Sequence, residues 1–65
     1  MQYSVKQARL LANFTQSQVA QKLGVCEQTY RKIEKKPESA TIKQAKELSC
    51  LFGVPYDNII FCSTL

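Results

Sequence analysis

Residues 16–36 read QSQVAQKLGVCEQTYRKIEKK, and the fold turns on how this stretch is read. Counting from Gln16, a small residue stands at the fifth position (Ala20) and glycine at the ninth (Gly24). Apolar side chains stand at the fourth, eighth, tenth, fifteenth and eighteenth: Val19, Leu23, Val25, Tyr30 and Ile33. Two helices that cross steeply need a small side chain where they touch, a tight turn between them, and apolar faces directed to one core. The spacing meets all three demands and predicts helices over about residues 16–23 and 27–35. Gly24 ends the first, because glycine accepts the positive φ that a sharp helix exit requires. Cys26 stands where Ser or Thr would cap the second, and a cysteine is a weak cap.

Working outward, Thr15 with Gln18 has the spacing of a capping box for the first helix of the pair. Upstream, Ser4 is a candidate N-cap, and Val5, Ala8 and Ala12 at helical spacing predict a helix over about residues 4–12. Asn13 suits a left-handed closing residue, and Phe14 follows as an apolar plug. Downstream, Pro37 biases Lys36 away from helical geometry, so the segment KPESA is a short polar loop. Thr41 with Gln44 makes another capping box, opening a helix over about 42–52 that would bury Ile42, Ala45, Leu48, Ser49 and Phe52 before Gly53 stops it. Pro55 and YDNIIF predict a short fifth helix over about 56–60, and CSTL a frayed tail. With no alternating strand pattern and no repeats, the expectation is all-α, a compact five-helix bundle.

A chain of 65 residues makes one domain, 1–65, which buries only about 60% of its unfolded surface. A hydrophobic fraction of 45% with 22% charged residues is that of an ordinary soluble globular protein. No apolar run approaches the roughly 20 residues that span a bilayer, and MQYSVKQARL is too polar for a signal peptide, so the expected location is cytoplasmic. Cys26, Cys50 and Cys62 form no CxxC pair and histidine is absent, which argues against a disulfide framework or a zinc site. The same absence of histidine, with no clustered acids and no phosphate loop, leaves no catalytic constellation and no cofactor site. Net charge is +4 and the sequence pI is near 9.2. That favours an anionic partner, although a solvated basic surface is the simpler account. No acid precedes Glu27, and RKIEKK sets Arg31, Lys32, Lys35 and Lys36 around one acid, Glu34.

The matched positions of the helix pair, with Thr15-Gln16, Leu23-Gly24-Val25, Ile33-Glu34 and the segment FGVPYDNII, resemble the phage repressor and Cro-like helix-turn-helix family, also called the XRE family. The resemblance runs from about Val5 to Phe61. It implies a lambda-repressor-like bundle with the helix-turn-helix at its second and third helices. It also implies a sequence-specific transcriptional regulator, expected to be a repressor, that binds double-stranded DNA with its third helix in the major groove, with nucleoid association. Arg9 and Glu34 are implied as an ion pair tying the first helix to the third, the alternative being two separately solvated charges. Two positions depart from the family pattern. Tyr30 replaces the usual Ile or Val, so its hydroxyl must emerge at an edge or find a partner, and Cys26 replaces the usual Ser or Thr.

Helical arithmetic identifies a DNA-facing side independently. At about 100° per residue, placing Tyr30 at the core puts Ile33 and Glu34 beside it and Gln28, Lys32 and Lys35 opposite. By family position Glu27, Gln28 and Lys32 are the base readers. Gln28 could grip adenine N6 and N7, Lys32 donate to guanine O6 or N7, and Glu27 accept from cytosine N4. Glu27 has an equal alternative in serving the helix N-terminal dipole. Gln16, by its backbone N–H and side chain, is expected at a phosphate, with Thr15, Cys26, Thr29, Arg31, Lys35 and Lys36 as further phosphate contacts. The Cys26 thiol lies close enough for an oxidation switch, but a plain small residue is the simpler role.

One such unit contacts few base pairs, and symmetric dimers of this class read half-sites about 34 Å apart. The apolar C-terminal segment, with Tyr56, Ile59, Ile60 and Phe61, joined by Leu51, is the expected homodimer interface, the alternative being that it covers the monomer core. A different class of function remains open on the same fold: a module that holds a partner protein, as antitoxins do, with weak DNA binding.

Overall fold

Serine or threonine followed three residues later by glutamine opens three of the helices. In the computed structural model, which describes residues 2–61, the Ser4 hydroxyl accepts from the Gln7 backbone N–H at 3.1 Å, and the Gln7 side-chain oxygen accepts from the Ser4 N–H at 2.9 Å. Thr15 with Gln18 and Thr41 with Gln44 repeat the exchange. These boxes start α1 (Val5–Leu11), α2 (Gln16–Leu23) and α4 (Ile42–Phe52), each satisfying N–H groups that the helix itself leaves unpaired. The Ser4–Gln7 box extends the expectation, which named only the cap. α3 (Glu27–Lys35) starts at Cys26 with no side-chain capping bond.

The helix ends follow from residues that tolerate positive φ. Asn13 sits at 63°, Gly24 at 73° and Gly53 at 68°. Past Gly24 the Val25 N–H returns to the Ala20 carbonyl at 3.0 Å, and past Gly53 the Val54 N–H returns to Ser49 at 3.2 Å. α3 ends at Lys36, which leaves helical geometry ahead of Pro37, as expected. The polar loop contains a single 3₁₀ turn, Pro37–Ser39, and the Ser39 hydroxyl donates to the Lys36 carbonyl at 2.7 Å.

Among the described residues four α-helices form, not five. The C-terminal segment makes only a 3₁₀ turn, Tyr56–Asn58, and Ile59 is then extended. Ile59 forms an isolated parallel bridge with Tyr3: the Tyr3 N–H donates to Asn58 at 2.7 Å and the Ile60 N–H donates to the Tyr3 carbonyl at 2.8 Å. The reason is visible in NIIF. Ile59 and Phe61 are buried and Ile60 is exposed, an alternation that an extended chain produces and a helix does not, in residues that favour extended backbone. The expected tail, residues 62–65, lies outside the described residues.

α2 and α3 pack on each other, α1 lies against α3 and α4, and α4 also lies against α2. The shared core is Val5 and Ala8 of α1, Val19 and Ala20 of α2, Tyr30 and Ile33 of α3, Ala45, Leu48 and Phe52 of α4, and Ile59 and Phe61. Leu23, Val25 and Phe14 pack against it half-buried, with the Phe14 and Phe52 ring centroids 6.2 Å apart. Two members of the expected α4 stripe are not core residues. Ile42 is 71% exposed, because helical side chains lean toward the N-terminus and one in the first position overhangs the end of its helix. Ser49 is half-buried and acts as a polar lock, its hydroxyl donating to the Val54 carbonyl at 2.8 Å.

Candidate nucleic-acid interface

The face of α3 opposite Tyr30 is open. Gln28, Thr29, Arg31, Lys32, Lys35 and Lys36 are all exposed, while Tyr30 and Ile33 are buried on the other side, the division that helical arithmetic requires. Gln28 and Lys32 point away from the core one turn apart, and among the described residues Lys32 has no carboxylate partner. Thr15 is exposed at the start of α2. Its oxygen accepts from the Gln18 N–H at 3.1 Å, which leaves its O–H able to donate outward. Cys26 is exposed with a free thiol, as is Cys50.

Behind this face runs a chain of charged hydrogen bonds. Arg9 Nε donates to Glu34 Oε2 at 2.6 Å in a pair whose side chains are only 9% and 7% exposed, and an Arg9 terminal nitrogen, Nη1, also donates to the Phe14 carbonyl at 2.8 Å. The Gln16 amide donates to Glu34 Oε1 at 3.0 Å. Arg31 Nε in turn donates to the Gln16 side-chain oxygen at 3.3 Å, and Arg31 Nη2 donates to Glu27 Oε2 at 2.5 Å. One network thus joins α1, α2 and α3. Burial is the largest influence on the Glu34 carboxyl and opposes its ionisation. The hydrogen bond from Arg9, the nearby Tyr30 hydroxyl, the hydrogen bond from Gln16 and the Arg9 charge together outweigh it and hold the carboxyl below its ordinary range.

This arrangement revises three expectations. The Gln16 side chain, expected at a phosphate, is hydrogen-bonded within the protein through its oxygen and one amide N–H, which leaves its second amide N–H and its backbone N–H at the first position of α2. Glu27 does not project freely toward bases. Its carboxylate is paired with Arg31 four residues on, while its place in the first turn also suits the helix dipole. The Tyr30 hydroxyl neither emerges at an edge nor makes a hydrogen bond of acceptable geometry: it is buried close to Glu34 and Arg9. Burial first, and then the Glu34 carboxylate, push its pKa far above the ordinary tyrosine value.

The expected dimer residues divide. Tyr56 and Ile60 are exposed and Leu51 is half-buried, but Ile59 and Phe61 are buried, Phe61 stacked on Tyr56 with centroids 5.3 Å apart. Phe61 therefore belongs to the monomer core, because the extended backbone turns alternate side chains inward. Two features had no sequence reading. Leu10 and Leu11 are exposed at the end of α1 and line a shallow groove with Tyr3 and Gln7. Lys6 lines a second groove with Gln16, Arg31, Glu34 and Lys35. The signal for Lys6 was available, since it stands three residues before Arg9 on the face of α1 that meets α3.

A sequence model described as Helix-turn-helix matches residues 5–59. A protein from Methanocaldococcus jannaschii described as an uncharacterized HTH-type transcriptional regulator is 39% identical over 59 residues, covering 91% of this chain and 89% of that protein. No solved structure matches the chain. The matched span begins with the first residue of α1 and ends at Ile59, where the chain closes on Tyr3, so it takes in the helix pair and every helix that supports it. The chain belongs to the XRE family of helix-turn-helix proteins.

Proposed function

We propose that the protein is a sequence-specific regulator of transcription that binds double-stranded DNA by laying α3 in the major groove. The observation that carries this reading is the exposed Gln28 and Lys32 face of a short helix whose other face is held by Tyr30, Ile33 and the buried Arg9–Glu34 pair. A reading helix must be rigid in register and bare on one side, and α3 is both. Gln28 reads adenine through N6 and N7, and Lys32 donates to guanine. Glu27 positions Arg31 for the backbone. Thr15, the Gln16 N–H, Thr29, Lys35 and Lys36 meet phosphates, with Cys26 at the same edge. Repression by occupying an operator in competition with polymerase is the simplest outcome of such binding, and it would operate at the nucleoid.

Two copies on a two-fold site double the bases read, and we place their contact at Tyr56, Ile60 and Leu51. The exposed Leu10, Leu11 and Ile42 support a second reading, a module that docks a partner protein with little contact to DNA. Selection of binding sites from random duplexes, followed by Gln28→Ala and Lys32→Ala, separates the two. Loss of preference at single base positions, about 1–3 kcal/mol each, is expected for base readers, and a uniform loss would make both phosphate contacts. Weak, sequence-indifferent binding with a flat salt response would favour the partner-protein reading.

A further inference from the structure

The groove between α1, the start of α2 and the later turns of α3 has a volume of about 370 Å³ and is lined by Lys6, Gln16, Arg31, Glu34 and Lys35. Its hydrogen-bonding capacity is one-sided. Each Glu34 oxygen already accepts one hydrogen bond, Oε2 from Arg9 and Oε1 from Gln16, and the Glu34 charge is matched by buried Arg9. Among the described residues neither Lys6 nor Lys35 has a carboxylate within 4.0 Å. Arg31 is steadied from two sides, by Gln16 on Nε and Glu27 on Nη2, which leaves the hydrogens of Nη1 unspent. The Gln16 amide has a second N–H beyond the one given to Glu34. Two lysines without a carboxylate partner, the Arg31 guanidinium and the Gln16 amide thus bring unspent donors to one space. The matching ligand is an oxyanion with several acceptor oxygens, and the groove opens beside the helix that faces DNA.

We propose that this groove binds one DNA backbone phosphodiester, with Lys6 of α1 joining Arg31 and Lys35 as a phosphate ligand. The assignment rests on the DNA-binding reading and extends the contact surface beyond the helix pair to α1. A free phosphate offers the same oxyanion chemistry. The backbone is the source because a phosphate there continues the track from the open N–H groups of α2 past the bases read by α3.

The test uses the full chain with its selected operator, measuring binding by anisotropy across a salt series. Lys6→Gln should weaken operator and unrelated duplexes alike, by about eightfold at 0.1 M salt, and lower the slope of log K against log salt by about 0.9, the value for one phosphate contact. Lys6→Arg should restore the slope, and Lys43→Gln on α4 should leave it unchanged. An unaltered slope for Lys6→Gln, with wild-type operator binding intact, would overturn the groove alone. Absence of salt-sensitive binding by the wild-type chain would overturn the DNA-binding reading and the groove with it. Inorganic phosphate titrated into the labelled protein should move the Lys6, Gln16 and Arg31 amide resonances only weakly. Saturation below about 1 mM, a binding energy of about 4 kcal/mol, would reassign the groove to a free phosphate ligand.

Discussion

Tyr30 carries the clearest conflict between packing and polarity in the molecule. Its ring fills the centre of the core, where the family resemblance leads one to expect an aliphatic side chain, and its hydroxyl is buried without a well-formed hydrogen bond. An unpaired buried hydroxyl costs about 1–3 kcal/mol, so Tyr30→Phe should leave thermal stability unchanged or raise it. A fall of more than about 1 kcal/mol in urea unfolding would mean that the hydroxyl is bonded to Glu34 in solution. Glu34 has a different signature. Its folded-state pKa lies below the ordinary 4.5, so the unfolded chain binds more protons in that range and stability rises with pH there. The contribution is complete above about pH 4.5 and is lost as pH falls through the depressed folded-state value. Urea midpoints measured against pH should show this acid limb in the wild type. Glu34→Gln should be less stable at neutral pH, because buried Arg9 loses its charge partner, and should lack the Glu34 share of the limb. That Arg9 and Glu34 would pair was legible only by resemblance. The full chain through Gln16 and Arg31 to Glu27 was not, although the four-residue step from Glu27 to Arg31 was there to be read.

At the scale of elements, α3 is the helix whose sequence is least committed to its own start. α1, α2 and α4 each carry a reciprocal cap, whereas Cys26 supplies no side-chain bond. Cys26→Ser should therefore stabilise the protein by about 1 kcal/mol, the usual worth of a good N-cap, seen as a shift in the thermal midpoint. No gain would indicate that the serine hydroxyl does not reach the N–H groups at the start of α3. The four helices, their caps and the stops at Asn13, Gly24 and Gly53 were legible because each depends on residues within about one turn of one another. The predicted fifth helix was not. YDNII satisfies a helical apolar count, but its last residues alternate inward and outward and find backbone partners on Tyr3, residues that lie at the opposite end of the chain.

For the whole molecule, the open question is how much apolar surface is left outside after the monomer has closed. Ile59 and Phe61 have gone into the core, so among the described residues the C-terminal apolar surface open to a second copy is that of Tyr56, Ile60 and half-buried Leu51. If two copies meet there, Ile60→Asp should reduce the sedimenting mass toward the monomer and weaken operator binding, while urea stability changes little because Ile60 is exposed. An unchanged mass with operator binding intact would remove this surface from the dimer. The groove beside Leu10 and Leu11 would then be the next apolar surface to test.

The sequence by itself determined where helices start and stop, which side of α3 is apolar, and hence which side is bare. Those features arise from local hydrogen bonds, backbone dihedrals and a 3.6-residue period. Only the tertiary structure decided that Phe61 turns inward, that Gln16 is engaged by Glu34 and Arg31, and that Lys6 shares a groove with Lys35. The physical reason is that a side chain's partner is set by what the fold brings within hydrogen-bond reach. Residues 6 and 35, on two different helices, line one groove because both helices meet a core that neither encodes alone.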